Sequence, residues 1–147
     1  MSIDQAMCTL FKKDVLLGDH HLDSDVIMIA LYTDAATLNA ATDGYITAGE
    51  VSASGTNYTT TGVALGTKSV IENSTSGCFT SANPEWTSAT FTANGALIYN
   101  KTLGDASSNA KGAIAVLAFG GNFTVAGGTF KIVFPAPTAN NAIVRID

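Results

Sequence analysis

The sequence predicts an all-β protein, an antiparallel β-sandwich of jelly-roll or immunoglobulin-like type with one N-terminal α-helix. Three observations carry this. Small and strand-forming residues dominate: of 147 residues 46% are hydrophobic and only 13% charged, about half the usual charged share of roughly 25%. Short apolar or alternating segments recur at close spacing. Gly- and Asn-rich dipeptides separate them, as tight turns require. The length fits one domain over 1–147, with the helix at 3–17 and the sandwich at 25–147. A chain of this size buries roughly 68–70% of its unfolded surface, enough for a real core.

Each element follows from its residues. Ser2 is placed to cap a helix, and Gln5 lies three positions on, as a reciprocal capping box needs. Ile3, Met7 and Leu10 recur at i, i+4 and i+7 with Ala6 and Phe11 beside them, and Gly18 suits the left-handed residue that ends a helix. The apolar face of this helix packs either on the domain's own sheet or on a neighbouring subunit. A polar connector follows, and then residues 26–32, apolar on both faces, read as a central buried strand. Residues 34–62 are rich in Thr, Ala and Gly and read as a long excursion with one short strand near Glu50-Val51-Ser52. A loop of that length covers or contacts something. Further strands are expected at 63–71, 85–92, 96–100, 113–119, 130–134 and 142–146. Asn94-Gly95 is the cleanest hairpin signal, and Gly120-Gly121-Asn122 and Gly127-Gly128 read as further turns. Pro135 and Pro137 stop the strand before them.

The chemistry on offer is sparse. Between residues 35 and 100 the only charged side chains are Asp43, Glu50, Lys68, Glu72 and Glu85. His20 and His21 are adjacent in a loop near Asp19, Asp23 and Asp25, where a metal or base role competes with a polar connector, and we read a connector. Asp23 with Asp25, and Asp34 with Asp43, offer oxygen ligands, but the calcium-loop pattern is absent and Asp-rich turns cap backbone groups. No G-x-S-x-G elbow and no phosphate-binding loop occurs. No catalytic, cofactor-binding or metal-ligating residue is assigned, and no cofactor is expected. Cys8 and Cys78 are read as free thiols. Trp86 is read as a core residue of an alternating strand, the competing reading being a sugar-stacking platform.

A net charge of −5, with seven scattered Lys and Arg, argues against nucleic acid as a partner. No positive and then apolar leader opens the sequence, and no apolar run approaches the ~18 residues of a membrane span. A cytoplasmic product with no membrane association is therefore expected. High apolar content with few charges points to extra surface buried in an assembly.

Several segments resemble the small structural proteins of tailed bacteriophages of the marine-phage type. They are Phe11-Lys12 and Leu16-Leu17-Gly18, Ile27-Met28-Ile29-Ala30-Leu31-Tyr32-Thr33, Ala36-Thr37-Leu38-Asn39 and Gly49-Glu50-Val51-Ser52. Trp86-Thr87-Ser88-Ala89-Thr90-Phe91, Gly95-Ala96-Leu97-Ile98-Tyr99-Asn100 and Asn141-Ala142-Ile143-Val144-Arg145-Ile146 complete the set, which spans nearly the whole chain. The chain departs from the pattern around 52–61 and 73–83. The resemblance implies a non-enzymatic virion component, assembled in the host cytoplasm and placed on the capsid surface. Within that class it implies a capsid decoration or cement protein, a homotrimer bridging subunits of the major capsid protein. The helix, with Ile3, Met7, Leu10 and Phe11, or the 34–62 excursion, with Tyr45 and Tyr58, would be the piece that reaches a neighbour. Two alternatives stand beside it. One is a tail, neck or baseplate protein, including a receptor-contacting one. The other is a carbohydrate-binding β-sandwich module with Trp86 or Tyr58 as an exposed platform.

Overall fold

A computed structural model describes residues 1–106, 111–138 and 140–147. It is mostly β, with antiparallel sheets and two helices. In chain order the elements are β1 (Ala6–Met7), α1 (Thr9–Leu17), β2 (Ile27–Tyr32), β3 (Val63–Ala64), β4 (Ser69–Asn73), β5 (Ser76–Thr80), β6 (Glu85–Asn100), α2 (Lys101–Ala106), β7 (Ala113–Lys131) and β8 (Val144–Ile146). One sheet runs β1-β7-β6-β2-β3 and the other β4-β5-β8.

β2 is the centre of the core, as its apolar run requires. All six of its residues are buried, and they pair with the inner end of β6 from Ile27↔Asn100 to Tyr32↔Gly95. Leu97, Ile98, Ile114 and Val116 are fully buried beside it, in one cluster that also takes in Phe79 and Val144 of the smaller sheet. Each such side chain contributes about 1.5–3 kcal/mol relative to exposure.

The helix expected at 3–17 begins only at Thr9. The residues before it are extended, because better partners than a helical turn are within reach. Leu38 donates its N–H to Ser2 O at 3.0 Å, Asp4 donates to Leu38 O at 2.8 Å, and Cys8 donates to Ile114 O at 2.9 Å. Ser2 is therefore not the cap; Cys8 holds that position without a side-chain bond. The C-terminal end is as read, with Gly18 left-handed at φ 78°.

The largest departure concerns the turns. Asn94-Gly95 does not reverse the chain: β6 runs straight through it for 16 residues, and β7 runs through both glycine pairs for 19. Gly95 pairs with Ala118 and Ala93 with Phe123, so Asn94 alone faces the four residues from Phe119 to Asn122. Gly120 and Gly127 take φ values of 79° and 67°, the left-handed geometry of bulges as well as of turns. Gly95 is a close approach rather than a corner, since a Cβ there would lie 2.6 Å from Leu117 O. β6 leads instead into α2, which opens with Asn100 Oδ1 accepting from Leu103 N–H at 3.0 Å.

The expected strand at 63–71 divides into β3 and β4, which belong to different sheets. β5, with Cys78, pairs back on β4 from Ser69↔Thr80 to Asn73↔Ser76. The strand expected at 130–134 is the end of β7, and that at 142–146 shortens to β8. The short strand expected near Glu50 exists as a bridge to Tyr32, with Val51 N–H donating to Leu31 O at 2.9 Å.

Candidate functional site

Among the described residues two clusters of polar side chains tie distant parts of the chain together. The first centres on Glu50. Its carboxylate accepts from the Tyr45 hydroxyl at 2.5 Å, the Tyr58 hydroxyl at 2.8 Å and the Thr61 N–H at 2.7 Å. The Tyr58 oxygen itself accepts from Leu31 N–H at 2.9 Å. Tyr32 donates to Ile46 O at 2.8 Å and Tyr99 to Thr61 O at 2.7 Å. Three points along the 34–62 excursion are thus tied to β2 and β6. Burial pushes the Tyr99 hydroxyl up to about 12. Burial raises Tyr32, Tyr45 and Tyr58 further, the Glu50 carboxylate adding to the rise. Hydroxyls so held stay protonated as donors, and the carboxylate's acceptor capacity is spent on the chain's own groups. Together these bonds clasp the excursion onto β2 and β6.

The second joins residues far apart in sequence. Asn100 Oδ1 accepts from Leu103 N–H, so its amide nitrogen faces Asp25 Oδ2 at 2.7 Å and His20 Nδ1 at 3.2 Å. His20 Nδ1 is then the lone-pair nitrogen and Nε2 carries the proton. Nε2 is buried without a hydrogen bond, its nearest carboxylate oxygen being Asp14 Oδ2 at 3.9 Å. Burial lowers the His20 pKa, against the pull of Asp14, Asp25 and Asp19. Burial opposes ionisation of Asp25, yet the bonds from Asn100 and the His21 N–H hold it below its ordinary value. His20 also borders an apolar groove of about 390 Å³, lined by Phe11, Val15, Cys78, Phe79 and Ile146 among others. The paired histidines diverge: His20 turns inward and His21 stays exposed. Among the described residues no group of three or more His, Cys, Asp or Glu could hold a metal ion. Asp34 accepts from Asn122 at 3.2 Å and Asp43 pairs with Lys111, so those two aspartates serve separate contacts. Among the described residues no helix is long and apolar enough to cross a membrane.

The third feature is the outer half of the β6–β7 hairpin. Its inner half is flanked by β2 on one side and β1 on the other. Past Ala118, whose N–H is taken by Gln5 Oε1 at 2.8 Å, β7 has β6 as its only strand partner among the described residues. Beneath the arm lies a run of rings: Tyr58 against Trp86 at 6.3 Å, Trp86 against Phe91 at 6.4 Å, and Phe91 against Phe130 at 5.1 Å. Phe119 continues it to Phe130 at 6.1 Å and to Phe123 at 6.2 Å. The series ends at the surface, where Phe123 is 54% exposed. There Phe119, Phe123, Phe130, Lys131 and Ile132 line an open apolar groove of about 250 Å³.

The residues singled out from sequence fall in three settings. Phe11 and Tyr58 are buried in the chain's own core, so neither offers surface to a neighbour. Ile3, Met7, Leu10 and Tyr45 are half-buried, with Ile3 beside Gly95 and Tyr45 held by Glu50. Trp86 is 4% exposed and Tyr58 3%, so the exposed platform that a sugar-binding module required of them is absent; Trp86 is core, as read. The Trp86 Nε1 has no hydrogen-bond partner, so the ring serves as apolar area alone. Sequence reading missed the Glu50 clasp and the Asp25–Asn100–His20 chain, whose members lie up to 80 positions apart. It also missed the arm, whose signal was present as alternation on both sides of residues read as turns.

No protein family, no curated protein and no solved structure matches this chain.

Proposed function

We propose that this chain is a non-enzymatic structural protein of a tailed-bacteriophage virion, and within that class a capsid decoration protein that bridges neighbouring major capsid protein subunits. The observation that carries the reading is the outer β6–β7 arm, an uncovered strand edge ending in an exposed aromatic groove. Such a surface is built for contact with another chain. The polar clusters are consistent with it, because their donors and acceptors are spent on holding loops in place. The sequence resemblance supplies the class of assembly. In this reading β4-β5-β8 forms the second layer of a sandwich over the larger sheet, joined through Phe79 and Val144. Many weak contacts acting together hold such proteins on a lattice.

The test is cryo-electron microscopy of the particle that carries this protein, with its copy number measured by mass spectrometry. The expected result is density on the outer capsid surface at a copy number matching the capsid lattice. Density confined to the tail, neck or baseplate overturns the decoration reading and establishes the connector or receptor-contacting one instead.

A further inference from the structure

We propose that the outer edge of β7 is a self-pairing interface: two copies of this chain join edge to edge, antiparallel, across a two-fold axis near Val125. The inference uses the arm that also carries the virion reading, and it gives the strand edge itself to a second copy of the chain.

Every other free edge is short, covered or charged. β1 and β3 are two residues each, and β8 has three, including Arg145. β4 carries Glu72 and follows Lys68. The free side of β2 is met by Glu50 and Val51. On the outer half of β6 the far side is occupied by the 52–58 loop, where Thr90 donates to Thr56 O at 3.0 Å and Asn57 donates to Thr87 O at 2.6 Å. Proteins blunt exposed edges in these ways to prevent unwanted pairing. The outer half of β7 has no cover, and its one charge stands at its very end: from Ala113 to Phe130 there is no charged residue and no proline, and Lys131 closes the strand. Its uncovered stretch from Phe123 to Lys131 is about 30 Å long.

The occupant is a second copy because the arm is complementary to itself. An antiparallel pairing near Val125 places Phe123 of one copy beside the bulged Gly127 of the other, where no side chain competes for space. Phe123 and Val125 share the face of the aromatic cluster, through their pairs Ala93 and Phe91, so the two clusters merge into one. The same pairing carries Lys131 to the partner's 119–122 end. Asp34 lies there, accepting from Asn122, so a cation and a carboxylate share that end of the seam. Lys131 stands outside the described ion pairs, which engage Lys13, Lys101, Lys111 and Arg145. Symmetry makes this pair twice. Strand pairing of this length is a small interface, so the dimer is weak and concentration-dependent.

The test combines light scattering across a concentration series with cross-linking. The wild-type chain is expected to move with rising concentration from a mass near 15.1 kDa towards twice that value. Phe123→Glu is expected to keep the circular dichroism spectrum and remain monomeric. Val125→Cys, which meets its own copy on the axis, is expected to form a disulfide-linked dimer on mild oxidation, the native thiols of Cys8 and Cys78 being buried. Lys131→Glu weakens pairing about fivefold, and Asp34→Lys in the same chain restores it. A wild-type chain that stays monomeric without cross-linking overturns the proposal. So does a trimer, or a dimer that survives Phe123→Glu. A tail location in the virion leaves this interface untouched, and a monomer in solution leaves the decoration reading untouched, so the two fail separately.

Discussion

The inner and outer halves of the β6–β7 hairpin are made of the same two strands and behave as different materials. The inner half, where Gly95–Asn100 faces Ala113–Ala118, is clamped between β1 and β2, and Leu97, Ile98, Ile114 and Val116 are wholly buried in it. The outer half has the same alternation and more aromatic mass, yet only its β6 side is covered. Phe91 is buried while Phe123, two positions from Phe91's cross-strand neighbour Val125, stands more than half exposed. Strand sequence decides that the hairpin forms. Neighbouring strands decide which stretch of it is core and which is surface.

The sharpest way to break the comparison is Leu97→Ala, which empties a fully buried site of the inner half. We expect a loss of about 3–5 kcal/mol in urea unfolding. A loss no larger than that of an outer-half truncation would mean that the two halves are equivalent. Next is Glu50→Ala, which strips the partner from two hydroxyls and one N–H. A loss of about 3 kcal/mol is expected. Because Tyr58 packs against Trp86 and Phe91, the effect should reach the outer half as a red shift of Trp86 fluorescence. Unchanged emission would show the clasp and the arm to be independent.

A smaller effect is expected from acid. The His20 pKa lies below its ordinary 6.5 in the folded chain, while the unfolded chain takes up a proton at that value. Stability is therefore full above pH 6.5 and falls as the pH drops from there towards the folded value. The urea midpoint should decline between about pH 7.5 and 5.5, and His20→Gln should flatten the decline. An equal slope in the variant would place the acid sensitivity elsewhere. The smallest effect belongs to Phe123→Ala, at less than about 1 kcal/mol for the monomer, since its ring is already largely in water. A larger loss would show that the outer groove is core after all.

The outcome of the sequence reading divides along the range of the interactions. β2 was legible because seven consecutive apolar residues leave no polar face for solvent. The end of α1 at Gly18 was legible because a left-handed residue is a local property. The start of α1 was not, since residues 3–8 carry an acceptable helical pattern and only the carbonyls of Leu38 and Ile114 draw them into extended structure. Asn94-Gly95 carried the strongest hairpin signal and lies in mid-strand, because positive-φ tolerance suits bulge and turn alike and the opposing four residues of β7 decide between them. The clasp was invisible: Glu50 and the tyrosines are unremarkable until the excursion folds back over β2.

Local chemistry thus settled that this is a β-rich chain with one N-terminal helix, a buried strand at its centre and few groups suited to catalysis. These follow from patterns a few residues long. Tertiary structure alone decided the sheet orders, the second helix, the course of two long strands through five glycines, and the long edge left open on β7. Strand pairing joins residues tens of positions apart, and whether a backbone edge is satisfied depends on which distant segment arrives beside it.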